Sequence, residues 1–140
     1  MESAKEPITV ESTVQAPVEK VWDFWTSPEH IVQWNNASPD WHTPKSENDL
    51  RPGGKFLTRM EAKDGSFGFD FEGTYIDIKT NELIAYTLSD GRTVSITFTS
   101  EGDRTRVTET FEPENQNPIE LQRGGWQAIL DNFRNYVEVN

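Results

Sequence analysis

The chain has 140 residues, 24 Asp and Glu against 13 Lys and Arg, and a formal charge of −11. Such a balance repels phosphate backbones and anionic bilayers, so it excludes nucleic acid and membrane surfaces as partners. The absence of cysteine removes disulfides, thiolate nucleophiles and cysteine-bound zinc.

The polar segment Met1–Pro7 lacks the apolar core of a signal peptide, and no apolar run reaches membrane-spanning length. A cytoplasmic protein of one domain, residues 1–140, is expected, without repeats or linkers. Only 34% of residues are apolar, but eight Phe, five Trp and three Tyr are bulky enough to build a core.

Ile8–Val14 alternates apolar and polar residues, as a half-buried strand does. In APVEKVWDFWT, Pro17 suits the first helical position, and Val18, Val21, Trp22 and Trp25 fall on one helical face. SPEHIVQW starts a second short helix: Ser27 can cap, Pro28 opens, and Ile31 and Trp34 face one way. The stretch Asn35–Leu50, with Pro39, Trp41, His42 and Pro44, reads as an irregular lid. Pro52-Gly53 is a turn whose third position requires a positive φ.

An antiparallel series follows, because turn signals recur at hairpin spacing. KFLTRMEA places Phe56, Met60 and Ala62 in phase, and Asp64-Gly65 turns the chain. In SFGFDFEGTYIDI, Phe67, Phe69 and Phe71 share a phase while Ile76 and Ile78 take the other, which predicts a bulge at Gly73. Turns at Asn81-Glu82, Asp90-Gly91 and Gly102-Asp103 separate LIAYTL, TVSITFT and TRVTETFE. A long helix then carries Trp126, Ile129, Leu130, Phe133 and Val137 on one stripe; Asn117 is placed to cap it, Pro118 to open it, and Glu120 to complete a capping box. Gly124 and Gly125 interrupt this helix at about 1 kcal/mol each relative to Ala. They either relieve a clash with the short helices or leave room for close packing or a ligand.

The segments APVEKVWDFWTSPEHIVQW, DLRPGGKF, FEGTYIDI, LIAYT and RGGWQAILDNFRNYVE, in that order, resemble the family built on the C-terminal domain of the activator of the heat-shock-protein-90 ATPase. That family lies within the START / birch-pollen-allergen-like superfamily, which includes polyketide cyclases and lipid carriers. The resemblance spans roughly Ile8 to Glu138. It implies an α+β helix-grip fold: a curved antiparallel sheet of about six or seven strands wrapped round the long C-terminal helix, with two short helices after the first strand and a cavity between sheet and helix.

Trp25, Trp34, Trp41, Met60, Phe69, Phe71, Trp126, Leu130 and Phe133 are the expected apolar lining of that cavity, whereas Trp22, Phe98 and Phe111 are expected in the packed core. Glu109 lies in phase between Val107 and Phe111. It is either a buried carboxyl able to act as acid or base, or half of an exposed cross-strand pair. Arg59, Arg106 or Tyr75 could orient a bound molecule. His30 and His42, the only histidines, fit a rim better than a metal site or a His42–Asp40 catalytic pair. No nucleophile elbow, phosphate loop or dinucleotide motif is present.

The expected function is therefore binding of a small apolar or amphipathic molecule by a monomer or weak homodimer, without cofactor or metal. A cyclase- or hydrolase-type enzyme using the same cavity is the alternative. Contact with a chaperone follows from the resemblance alone, and these 140 residues have no counterpart of the activator's separate N-terminal domain.

Overall fold

The computed structural model describes residues 6–140; residues 1–5 of the polar N-terminal segment lie outside the described residues. The first strand, β1 (Ile8–Val14), alternates strictly between buried and exposed residues. Two short helices follow, α1 (Val18–Thr26) and α2 (Pro28–Trp34). Six further strands succeed them: β2 (Trp41–Asn48), β3 (Lys55–Ala62), β4 (Gly68–Lys79), β5 (Leu83–Leu88), β6 (Thr93–Glu101) and β7 (Arg104–Phe111). The chain ends with α3 (Ile119–Val139), 21 residues and about 32 Å long.

All pairings are antiparallel, and the sheet order is β1-β7-β6-β5-β4-β3-β2. The curled sheet presents one apolar face to α3, whose Leu130, Phe133 and Val137 are fully buried against it. Across β1, Gln127 donates to the Glu11 carbonyl (3.1 Å), and Glu138 accepts from the Gln15 amide (2.9 Å). At α2, Asn132 donates to the Trp34 carbonyl (2.7 Å) and to the Asn36 side chain (3.1 Å). These polar ties fix where the helix lies on the sheet.

The glycine turns form as their sequences require: Gly53, Gly65, Gly91 and Gly102 all have φ between 79° and 93°. Three local expectations are overturned. The segment Asn35–Leu50 is not an irregular lid, because Trp41–Asn48 forms the edge strand β2. Its alternation is hidden by Pro44, which falls in a register shift between His42 and Lys45. A residue without an amide proton is tolerated at such an edge irregularity.

The bulge of β4 lies at Ile76, between Tyr75 and Asp77, and not at Gly73. Ile76 is thereby turned out to solvent. Gly73 serves a close approach instead: a Cβ there would stand 2.4 Å from the Thr87 carbonyl oxygen and 3.0 Å from the Phe56 ring. Finally, no side chain caps α3, and Pro118 occupies the cap position itself. Gln122 fastens the helix start by donating to the carbonyls of Asn117 (2.9 Å) and Glu114 (3.2 Å) and accepting from the Glu114 amide (2.9 Å).

Candidate functional site

A cavity of about 550 Å³ lies between the sheet, α2 and the first half of α3. Its floor follows from strand alternation. Phe56, Thr58 and Met60 of β3, Phe71 and Tyr75 of β4, Ile84 and Tyr86 of β5, and Glu109 of β7 all project from the apolar face. Trp25, Ile31 and Trp34 close one side, and Gln122, Trp126 and Ile129 of α3 form the roof. Thr58 stays satisfied through Ser46 (3.2 Å). Asn48 donates to the Thr26 carbonyl (2.8 Å), joining β2 to the end of α1.

Seven of the ten expected lining residues are brought together here: Trp25, Trp34, Met60, Phe69, Phe71, Glu109 and Trp126. The other three are placed elsewhere. Leu130 and Phe133 lie one and two turns further along α3, where the helix meets the sheet directly, and both are 0% exposed. Phe133 packs edge-on against Trp25 (4.8 Å) and Trp34 (4.7 Å), so it backs the cavity wall without reaching the space. Trp41 stands outside the cavity at the sheet edge, where it forms a rim cluster with Phe67 (6.0 Å) and Phe69 (6.1 Å). Trp22, Phe98 and Phe111 are buried in the core, as expected.

Trp126 lies flat on Phe111, with ring centroids 3.9 Å apart and planes 9° from parallel. The indole and Glu109, two residues before Phe111 on β7, both line the cavity. Phe71 links Trp126 (6.1 Å) to Tyr86 (6.3 Å), which joins roof and floor through one aromatic series.

Glu109 is 5% exposed and sits in a cross-strand row between Val10 and Ile96. The exposed-pair reading of this residue is therefore excluded. Its carboxyl makes no side-chain hydrogen bond or ion pair among the described residues, and burial pushes it up to about 8. Burial also raises the Tyr86 hydroxyl well above its ordinary value, and the nearby Glu109 adds to this. Burial raises Tyr75 to about 12, partly offset by its hydrogen bond with Asn48.

Tyr86, Arg92 and Gln122 were not among the expected site residues. Tyr86 was legible, since it follows Ile84 in the alternation of β5. Arg92 comes from the Asp90-Gly91 turn, and nothing local announces that it reaches the cavity. Its guanidinium is already engaged by Asp90 (2.8 Å) and the Glu112 carbonyl (3.4 Å). Of the polar residues expected to orient a bound molecule, only Tyr75 lines the space. Arg59 is held by Glu61 (2.9 Å) and Asp70 (3.3 Å), and Arg106 by Glu101 (3.2 Å), both away from the cavity.

His42 faces Glu61 (3.6 Å) on the surface, not Asp40. His30 shares a hydrogen bond with the Tyr136 hydroxyl (2.8 Å) and stacks on Phe24 (3.9 Å), between α2 and α3. Among the described residues no cluster of His, Asp and Glu could hold a metal ion, and no helix is long and apolar enough to cross a membrane. A Cβ added at Gly124 or Gly125 would meet nothing within 4 Å, so these glycines relieve no clash and permit no close approach; they leave open space at the start of α3. A second depression, of about 810 Å³, crosses the ends of β2 to β5 and is lined by Glu47, Asp49, Lys55 and Glu72 among others. Phe56 is the one aromatic residue in its lining, which holds no buried titratable group.

No functionally curated protein matches the chain. Among solved structures, an AHSA1-like protein from Aeromonas hydrophila is 44% identical, with 95% of this chain and 92% of that one covered and a TM-score of 0.89. A protein from Cytophaga hutchinsonii is 57% identical over 96% of this chain and 93% of its own, with a TM-score of 0.83. A protein from Nitrosomonas europaea shares the fold (TM-score 0.83) at 21% identity. The family pattern described as Activator of Hsp90 ATPase homolog 1-like protein matches residues 15–138, from the turn before α1 to the last turn of α3. With its curled sheet, paired short helices and gripped C-terminal helix, the chain belongs to that family.

Proposed function

We propose that this protein binds a small apolar or amphipathic molecule between its sheet and its C-terminal helix. The observation that carries the reading is the cavity itself: about 550 Å³, with nine aromatic side chains in its lining and one buried carboxyl in its floor. A well-packed interior leaves few voids larger than a water molecule, and ligand sites combine apolar walls with a few placed polar groups.

The test uses tryptophans already in position. Trp25, Trp34 and Trp126 all line the space, so an occupant should shift the emission spectrum and raise thermal stability. At a hundredfold excess over Kd the gain is about 2.7 kcal/mol. Native mass spectrometry of freshly purified protein should show a retained small molecule. A broad apolar panel that shifts neither signal would refute the reading.

A second reading, chemistry of the cyclase or hydrolase type, is supported by Glu109. A carboxyl titrating near pH 8 is a competent general acid at neutral pH, and a cavity that orients a flexible substrate supplies the rest. Unchanged turnover of a candidate polyketide by Glu109→Gln would refute it. Stimulation of a chaperone ATPase rests on the family description and is tested by that ATPase assay with and without the protein.

A further inference from the structure

We infer that the cavity takes an amphipathic amine: an apolar or aromatic body whose single ammonium group pairs with Glu109. The inference rests on the cavity being a ligand site and adds the chemistry of the occupant.

Charge decides first. The acidic side chains lining the space are Glu47, Glu109 and Glu114, and the only basic one among the described residues is Arg92. That guanidinium is committed to Asp90 and the Glu112 carbonyl, so no uncommitted cation among the described residues faces the interior. A fatty acid or phosphorylated ligand would bring a further negative group beside Glu109, with no uncommitted cation among the described lining residues to receive it. Glu109 is the reverse case. It is buried, it has no partner on the protein, and it faces the cavity.

The surrounding rings agree. Trp126, Phe71 and Tyr86 line the same space as Glu109, and aromatic faces attract a desolvated ammonium group. An occupant with a charged nitrogen thus gains a carboxylate and several π-faces in one place.

The proton balance follows. In the empty cavity burial keeps Glu109 protonated up to about pH 8. Below that pH, binding of an alkylammonium converts the acid to carboxylate and releases one proton to solvent; above it, none is released. The groups around Glu109 do not obscure this. Tyr86 and Tyr75 stay protonated because both are raised, and Arg92 is paired with Asp90. The lining residues of α3 (Gln122, Trp126 and Ile129) and the neighbours Val10 and Ile96 do not titrate, and Glu47 on β2 is exposed to solvent while Glu114 is half-buried.

The experiment is calorimetric titration of the intact protein with 4-phenylbutylamine, 4-phenylbutanol and 4-phenylbutanoate at several pH values. At pH 8.5 the amine should bind at least about tenfold tighter than the alcohol, and the carboxylate weakest of the three. Amine affinity should fall about tenfold per pH unit below 8, with proton release visible in buffers of different ionisation enthalpy, while alcohol affinity stays flat. Glu109→Gln keeps the side-chain shape, and should abolish both the amine preference and its pH dependence. Alcohol or carboxylate binding as tight as amine binding in the wild-type protein overturns the inference and leaves the ligand site standing, as does an amine preference retained by the variant. Absence of binding by all three overturns both.

Discussion

Glu109→Gln should stabilise this protein by an amount that grows with pH. The carboxyl rises from an ordinary 4.5 to about 8 through burial alone. The folded state therefore keeps a proton that the unfolded state gives up. Between those two values stability falls with pH, at about 1.4 kcal/mol per pH unit. Below pH 4.5 both states are protonated and the penalty vanishes; above 8 it is complete, on the order of 5 kcal/mol. Glutamine cannot titrate, so relative to wild type the variant should be within about 1 kcal/mol near pH 5 and gain about 4 kcal/mol by pH 7.5. That gain is on the order of 10 °C in Tm for a chain of this size.

Any constant offset from burying the amide moves both ends of the comparison equally, so the slope is the quantity tested. Asp90, Glu112 and Asp64 have lowered values and destabilise only as pH falls below the ordinary carboxylate range; they are common to both proteins and cancel. Urea denaturation of wild type and variant from pH 5 to 8.5 measures the difference directly. A difference that stays level over this range would refute the assignment of Glu109 as a desolvated acid.

Three further outcomes follow from packing. Gly124→Ala and Gly125→Ala should each add up to about 1 kcal/mol of stability, since the new methyl meets nothing within 4 Å; a loss in chemical denaturation would show that the space there is filled. Phe133→Ala should cost about 3–5 kcal/mol, because the ring is fully buried between Trp25 and Trp34; a variant as stable as wild type would contradict that packing. Gly73→Ala should destabilise by roughly 1–3 kcal/mol, because its Cβ would collide with the Thr87 carbonyl. Backbone amide shifts in β4 and β5 should accompany the loss, and a neutral result would place the two strands further apart.

The legible parts of this fold are those where burial alternates cleanly. Ile8–Val14 and Val94–Phe98 announce themselves because one face is core and the other water, and Asp64-Gly65 and Asp90-Gly91 mark turns that only glycine enters cheaply. The edge strand β2 hid because its burial does not alternate across the register shift between His42 and Lys45, and Pro44 imitates a loop. The bulge was misplaced because Gly73 and Ile76 both offer a phase change, and only the β5 register decides between them.

Within the site, Phe71, Glu109 and Trp126 could be read from phase along a strand or helix. Leu130 and Phe133 share the stripe of Trp126, so one-dimensional periodicity could not tell a cavity roof from direct packing. That distinction depends on where the sheet curls away from the helix. Arg92 was invisible for the same reason, since its turn reaches the site only through tertiary placement.

The strand order has a consequence for how the molecule assembles. From β2 to β7 each strand zips to its predecessor as a hairpin, whereas β1 must find β7 across about a hundred residues of intervening chain. Local hairpins close quickly, and the long-range pairing bears most of the loop entropy. Val10 of β1 is also the neighbour that covers one flank of Glu109. Dehydration of that acid is therefore completed only when β1 is in place, so alkaline conditions should weigh on this long-range pairing as well as on overall stability.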